Sequence, residues 1–346
     1  MKAAVVTDFG SGFEVMDVEL ASPLEHEVVV DVRASGLCHS DHTVATTDVG
    51  MPLPAVLGHE IAGVVSAVGS RVTTVAVGDH VTACLVQYCG RCQACVAGHN
   101  YRCLDRDAVL RSPGQPPRLS HPDMIIDQGF ALGGFAEQSL VHEHQVVKIP
   151  DEVPFPQAAV IGCGVVTGAG AVLNTAALRQ GETAVIIGAG GVGLNAVQGA
   201  VLAGASRIVA VDIDDRKLDR AVTFGATDLI NSREHDPVEA LRDLLPWGAD
   251  SVFDFVGSRA VTTQAFEMLA VGGGLYLVGV SGANPGLDIA SDALQWRHAK
   301  VQGVGAGSTN PPRDIPMYAN LYLQGRLELD ALVSKTITLA EIDSAY

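Results

Sequence analysis

Ala184-Val185-Ile186-Ile187-Gly188-Ala189-Gly190-Gly191-Val192-Gly193 is the stretch on which the fold turns. An apolar, β-branched run predicts a buried strand, and the residues after the glycines continue as a helix through Ala203. At a turn of this kind Gly188 permits the tight bend, Gly190 lets the main chain approach a pyrophosphate, and Gly193 lets helix and strand pack closely. The helix start, at Gly191 and Val192, offers free N–H groups and the positive end of the helix dipole. A glycine motif alone is weak evidence. Here it follows a strand, opens a helix and precedes a second strand, Ile208-Val209-Ala210-Val211, that ends in Asp212. A carboxylate there accepts hydrogen bonds from both adenosine ribose hydroxyls and repels a 2′-phosphate, which predicts NAD in preference to NADP. The rival assignment makes Asp212 a cap for the helix beginning near Asp214 and the glycines a plain turn.

From this loop the pattern extends in both directions. Predicted strands at 184–187, 207–211, 228–230, 251–255 and 274–280 alternate with helices, one of them capped by Asp236 with Pro237 in its first position. Such alternation predicts a doubly wound parallel sheet. Beyond about Gly303 it fades, and Pro311-Pro312 is expected to open an irregular segment. Toward the N-terminus the chain reads as short strands at 3–6, 27–32, 61–68 and 80–86, punctuated by turn formers, which predicts a β-rich, barrel-like domain. Residues 111–122 lack periodicity and read as a surface loop.

Composition narrows the function classes. A chain of 346 residues predicts two domains, and 48% hydrophobic residues supply ample core. With 22 basic and 39 acidic residues, the net charge of −17 repels phosphate backbones and anionic lipid, so neither nucleic acid nor membrane is an expected partner. No apolar run is expected to span a bilayer, and the first twelve residues lack signal-peptide features, which predicts a cytoplasmic enzyme. Seven cysteines in a long chain of this kind point to metal or catalytic use.

Cys89, Cys92, Cys95 and Cys103 form C-x2-C-x2-C-x7-C among glycines. Such spacing lets one loop aim four thiolates at a tetrahedral centre and close its coordination, as a structural zinc requires; an iron–sulfur site is the alternative. Cys84 reads as a core residue, and His121, His142 and His144 as surface residues.

A second constellation combines Gly36-Leu37-Cys38-His39-Ser40-Asp41, Gly58-His59-Glu60 and Gly162-Cys163-Gly164. The run Gly58-His59-Glu60-Ile61-Ala62-Gly63, with Gly69 and Val72 beyond it, resembles the signature of the zinc-dependent medium-chain alcohol dehydrogenases. The resemblance covers essentially the whole chain. It implies a GroES-like β-barrel catalytic domain (1–163), a Rossmann domain (164–305) and a return segment (306–346), with the active site in the cleft between the two domains. It further implies that Cys38, His59 and Cys163 bind a catalytic zinc, with Glu60 near enough to join, and that Asp41 orients the His59 ring. Ser40 would pass on the alcohol proton, Thr167 would touch the nicotinamide and His39 the pyrophosphate, with Lys217, Val278 and Val280 as further cofactor contacts.

The expected cofactors are two zinc ions and NAD, and the expected reaction is hydride transfer between a primary or secondary alcohol, aliphatic or aryl, and the nicotinamide. Leu85, Val280 and the surroundings of Gly305 would line an apolar pocket. A thiol adduct of formaldehyde is the alternative substrate, and a non-catalytic NAD-binding protein the alternative class. Homodimers or homotetramers are implied by the family. In two places the pattern departs from it. The family's relay histidine, five residues after the first zinc cysteine, is replaced by Thr43, with His42 one position earlier, so the proton is expected to leave through water, the alternative being His42 acting from a shifted backbone. Relatives also continue past the segment matching 341–346, so the sequence reads as incomplete there.

Overall fold

A computed structural model describes residues 1–279 and 286–346, which form two compact units. One comprises Met1–Cys163 with Asn310–Tyr346, and the other Gly164–Thr309.

The first unit is built on two sheets. Its five-stranded sheet runs in the order Gln138–His142, Glu27–Gly36, Glu60–Val68, His80–Ala83 and Val146–Lys148, all antiparallel. Lys2–Val6 lies in a second, six-stranded sheet with Glu14–Asp17, Ala55–Val56 and Met124–Gln128. Val28, Val30, Ile61, Val65 and Val81 form one core and Val5, Val56, Leu57, Leu119 and Phe135 another, so β-branched strand residues fill the first and share the second with leucine and phenylalanine. The strand from Glu27 runs four residues past its expected end and carries the chain to the helix His39–Thr46 directly after Cys38.

Residues 111–122 differ from the expected surface loop. Positions 112–117 are exposed, but the ends are anchored by Arg111 and Arg118, which converge on the buried carboxylate of Glu27 at 2.6 and 2.8 Å, and Leu119–His121 is a strand. The expected irregular segment after Pro311 is a 13-residue helix, Pro311–Leu323. The two prolines occupy its first positions, where the missing N–H is no loss, and buried Ile315, Tyr318 and Ala319 hold it despite Pro316.

In the second unit six parallel strands lie in the order Asp228–Asn231, Arg207–Asp212, Thr183–Ile187, Ala249–Asp254, Leu269–Leu277 and Lys300–Gly303. This is the doubly wound sheet that the alternating pattern predicts. Asp236 caps the helix Pro237–Leu244 by accepting from the Val238 and Glu239 N–H groups. The helical run Phe155–Ala176 corrects one expectation: with 22 residues and mean hydropathy 1.6 it is long and apolar enough to cross a bilayer. Its apolar window is 78% buried within the molecule, as a core helix is.

Candidate active site

Cys38, His59, Glu60 and Cys163 converge, with one donor atom from each lying within 4.8 Å of the others. Three local features bring them there. Gly36 ends its strand directly opposite Glu60, and a β-carbon on it would collide with the Glu60 Oε2 at 2.1 Å. Gly58 has φ 88, a left-handed conformation that glycine adopts without strain, and it delivers His59 and Glu60 at the start of the next strand. Gly162 packs against the Ala83 carbonyl, where a β-carbon would come within 2.1 Å. Cys163 does not sit on a turn, as a Gly-Cys-Gly triplet suggests, but in a π-helical stretch, Ile161–Val165, of the long helical run.

The site is desolvated: His59 is 1% exposed, and Glu60 and Cys163 are buried. His59 Nε2 lies 3.3 Å from the Cys163 sulfur. On the far side of the ring, Nδ1 is 2.9 Å from Asp41 Oδ2, an ion-pair distance bent away from hydrogen-bond alignment. The other Asp41 oxygen accepts from the Gly58 N–H at 2.9 Å. A hydrogen bond with Cys163 holds the Cys38 thiol down to about 3 against the opposing effect of burial, with His59 assisting. That same hydrogen bond, together with burial, raises Cys163. Burial disfavours a charged His59, but Asp41 and Cys38 outweigh it and raise its pKa. Burial, then the neighbouring Cys38 charge, pushes Glu60 up to about 8. Two sulfurs, that of Cys38 half-buried and that of Cys163 buried, with a buried imidazole, a buried carboxylate and a second carboxylate behind the imidazole, fit zinc in both donor type and number.

Changing Asp41 to asparagine keeps the Gly58 contact and removes the charge behind His59. The expected result is a 10–100-fold weaker zinc affinity at this centre, read by chelator competition, in line with about that loss when such supporting partners are removed. Unchanged affinity would reduce Asp41 to an anchor for the Gly58 turn.

Cys89, Cys92, Cys95 and Cys103 form the second convergent set. Main-chain N–H groups of Cys89 and Asp105 donate to the Cys103 sulfur, and that of Cys92 donates to the Cys89 sulfur, at 3.2–3.3 Å. Donation from the Leu104 and then the Cys95 N–H lowers Cys92 to about 6. Burial pushes Cys95 the other way, up to about 12, so the peptide N–H groups favour the thiolate at Cys89 and Cys92, and the four-sulfur set suits a closed site. His142 and His144, expected on the surface, are half-buried beside it. The His144 ring stacks on Tyr88 at 4.8 Å and its Nδ1 lies 2.9 Å from the Tyr88 carbonyl oxygen, while burial lowers His142 to about 4. Cys84 is fully buried, as a core cysteine should be.

In the second unit the glycine loop has the geometry that a phosphate cradle needs. Gly188 has φ 97, and a β-carbon on Gly193 would lie 1.9 Å from the Gly188 carbonyl oxygen, so neither position admits a larger residue. The helix Gly191–Ala203 starts at Gly190 with no side chain capping it. Asp212 ends its strand, is buried, and accepts from the N–H groups of Ala189, Ile213 and Asp214. The cap of the following helix is Asp214, which leaves Asp212 free of that task. Thr167 is half-buried in a helix whose Gly168 abuts the Val192 carbonyl. Lys217 is exposed, and Val278 donates its N–H to the Asp254 carbonyl at 2.9 Å. His39 and Ser40 are exposed on the first turn after Cys38, and the Thr43 hydroxyl donates to the His39 carbonyl. Val280 lies outside the described residues.

Residues 24–151 match the family model described as the alcohol dehydrogenase GroES-like domain, and residues 191–323 the model described as zinc-binding dehydrogenase. An alcohol dehydrogenase of Amycolatopsis methanolica named as NDMA-dependent is 36% identical over 100% of this chain and 94% of its own length. The chain belongs to the zinc-dependent medium-chain alcohol dehydrogenases. An S-(hydroxymethyl)glutathione dehydrogenase of Paracoccus denitrificans is 35% identical to this dehydrogenase, over 100% of the chain and 95% of the relative. The crystal structure of a benzyl alcohol dehydrogenase from Acinetobacter calcoaceticus superposes with a TM-score of 0.93 at 34% identity, covering 99% of this chain and 94% of the other. The dehydrogenase is thus an oxidoreductase whose cofactors are zinc and NAD.

One residue of the dehydrogenase's site was invisible to sequence reasoning. Phe130 packs its ring 4.6 Å from that of His59, yet it lies in a short segment without periodicity or motif. Its only sequence signal is an aromatic residue directly after a glycine.

Proposed function

We propose that the dehydrogenase oxidises uncharged primary or secondary alcohols, aliphatic or aryl, to aldehydes or ketones with NAD, and that Cys38, His59 and Cys163 hold the zinc that serves the reaction while Glu60 stands by as a further ligand. The observation that carries this is the convergence of those four side chains, three of them buried and Cys38 half-buried. Zinc bound there supplies a Lewis acid that lowers the pKa of an alcohol hydroxyl, so that hydride can leave its carbon for the nicotinamide. Asp41 fixes the His59 ring and keeps Nε2 turned toward the two sulfurs. The Ser40 hydroxyl takes the alcohol proton and hands it to solvent, since the Thr43 hydroxyl is committed to the His39 carbonyl. Gly188, Gly190, Gly191, Val192 and Gly193 cradle the pyrophosphate with help from His39, Thr167 and Val278 contact the nicotinamide half, and Asp212 and Lys217 take the adenosine ribose. Cys89, Cys92, Cys95 and Cys103 hold a second, structural zinc.

A groove of about 210 Å³ beside Phe130 supports the substrate class. Met51, Leu57 and Leu110 line it with Phe130, and the one charged residue in its lining is Asp127. An acidic side chain without a basic one disfavours an anionic thiol adduct such as that of glutathione. All seven cysteines are unpaired, which supports action in a reducing cytoplasm. The strand Lys300–Gly303, at the edge of its sheet, supports pairing between copies into dimers or tetramers.

The test combines metal analysis with an absorbance screen at the NADH band over apolar alcohols, polar polyols and formaldehyde, with and without glutathione. The expected outcome is two zinc ions per chain, turnover of apolar alcohols without a thiol, and at least about a tenfold preference for NAD over NADP from the Asp212 carboxylate. Turnover confined to polyols, or dependent on glutathione, would overturn the substrate class, and preference for NADP would overturn the role of Asp212.

A further inference from the structure

Phe130 and Ala131 are consecutive non-glycine residues in the left-handed region, at φ 55 and 58. A bulky residue adopts that conformation only when its surroundings enforce it, whereas glycine would sit there freely. The use of phenylalanine therefore points to a task for its ring, and that ring both covers His59 and lines the apolar groove. A pair of side-chain amides meets this segment at the Phe130 carbonyl. The Gln145 Nε2 donates to the Phe130 carbonyl at 3.2 Å, and the Gln87 Nε2 donates to the same oxygen at 3.4 Å. Gln145 is fully buried, and its Oε1 has no hydrogen-bond partner among the described residues. A carboxamide that spends its donor on one strained carbonyl while leaving its acceptor unmatched is an unfavourable core residue unless that carbonyl must be held.

We propose that Gln145, assisted by Gln87, is a positioning residue for substrate selection. The two amides lock Phe130 in its left-handed conformation and so fix the aromatic wall between the metal-binding histidine and the groove, which sets the fit of bulky apolar alcohols. The proposal rests on the assignment of Cys38, His59 and Cys163 as the reaction centre.

Gln145→Leu tests it, because leucine fills similar space without a donor. The expected result is a KM for benzyl alcohol raised about tenfold, with the KM for ethanol and both kcat values within about twofold and the zinc content unchanged, the size of effect that a misfitted apolar pocket wall produces. In a Phe130→Gly background, which has lost the wall, adding Gln145→Leu leaves the ratio of the two KM values unmoved, as coupled residues require. A crystal structure of Gln145→Leu shows Phe130 outside the left-handed region. An unchanged KM ratio, an equal change in the Phe130→Gly background, or Phe130 retained at positive φ would each overturn the proposal. If Gln145→Leu does not fold, Gln87→Leu carries the test, with a smaller shift in the same direction expected and an unmoved ratio overturning it. Should the unaltered enzyme turn over neither alcohol, the proposed substrate class falls, and the Phe130 conformation in the variant crystal still decides whether the clamp exists.

Discussion

Replacing Cys163 with alanine lowers kcat for every alcohol by about a thousandfold or more and reduces the zinc content from two ions per chain to one, while the fold persists. With Cys163 gone, Cys38, His59 and Glu60 remain, a single sulfur with an imidazole and a carboxyl group. That set is poorly suited to retain zinc against solvent. Lewis-acid stabilisation of developing negative charge is worth several kcal/mol, and about 4 kcal/mol corresponds to about a thousandfold in rate. The remaining ion stays with Cys89, Cys92, Cys95 and Cys103, whose cradle of peptide N–H groups the substitution does not touch. Metal analysis together with single-turnover kinetics checks both halves of the prediction. Retention of two ions with intact turnover would sink the assignment of Cys163, and loss of both ions would show that the two centres are not independent.

The second large effect concerns stability. Glu27 is 5% exposed at its side chain and stands between Arg111 and Arg118, at 8% and 7%. Arg111 also donates to the Ser22 and Pro116 carbonyls and Arg118 to that of Val109, so this one carboxylate gathers the whole 109–118 segment onto the sheet. Changing Glu27 to alanine leaves two guanidinium groups facing each other in a dry site, for which about 3–5 kcal/mol of destabilisation is expected. The matching control is Glu25→Ala, whose pairing with Arg71 is exposed and is worth at most about 1 kcal/mol.

The pH dependence follows with a definite sign. Burial would raise the Glu27 pKa, but hydrogen bonds from Arg111 and the Leu24 N–H, with Arg118, hold it at about 2 against an ordinary 4.5. A depressed folded-state pKa contributes stability that is fully present above the unfolded value and disappears as pH falls through the folded one. The gap between the unaltered protein and Glu27→Ala, followed by urea denaturation, should stay constant down to about pH 5 and close between about 4.5 and 2. A gap that widened on acidification would mean that Glu27 is not the charged centre of this cluster.

Legibility in the sequence tracked how local each signal was. Strand, glycine turn, helix and Asp212 lie within thirty residues of one another and each follows from neighbours in the chain, so the Rossmann sheet could be read directly. The four-cysteine lobe is equally local, because fifteen residues contain every donor. Errors arose where a long-range partner overrode local preference. Proline pairs suggested irregularity at 311, yet buried Ile315 and Tyr318 make a helix there. A loop-like composition at 111–122 hid two arginines whose shared partner is more than eighty residues away. His142 and His144 looked like surface residues because nothing nearby in sequence announces Tyr88 or His26.

What the sequence by itself determined is the chemistry on offer: two cysteine-containing donor sets, a glycine turn between strand and helix, and a carboxylate at the end of the next strand, each set by residue type and spacing. What only the tertiary structure decided is how those groups are tuned. The bent Asp41–His59 contact, the seating of Cys163 in a π-helical stretch, and the left-handed Phe130 held by Gln87 and Gln145 all depend on residues distant in the chain meeting in a close-packed interior. The physical reason is that donor type is a property of a side chain, whereas burial, alignment and strain are properties of its surroundings, and these exist only once the chain has folded.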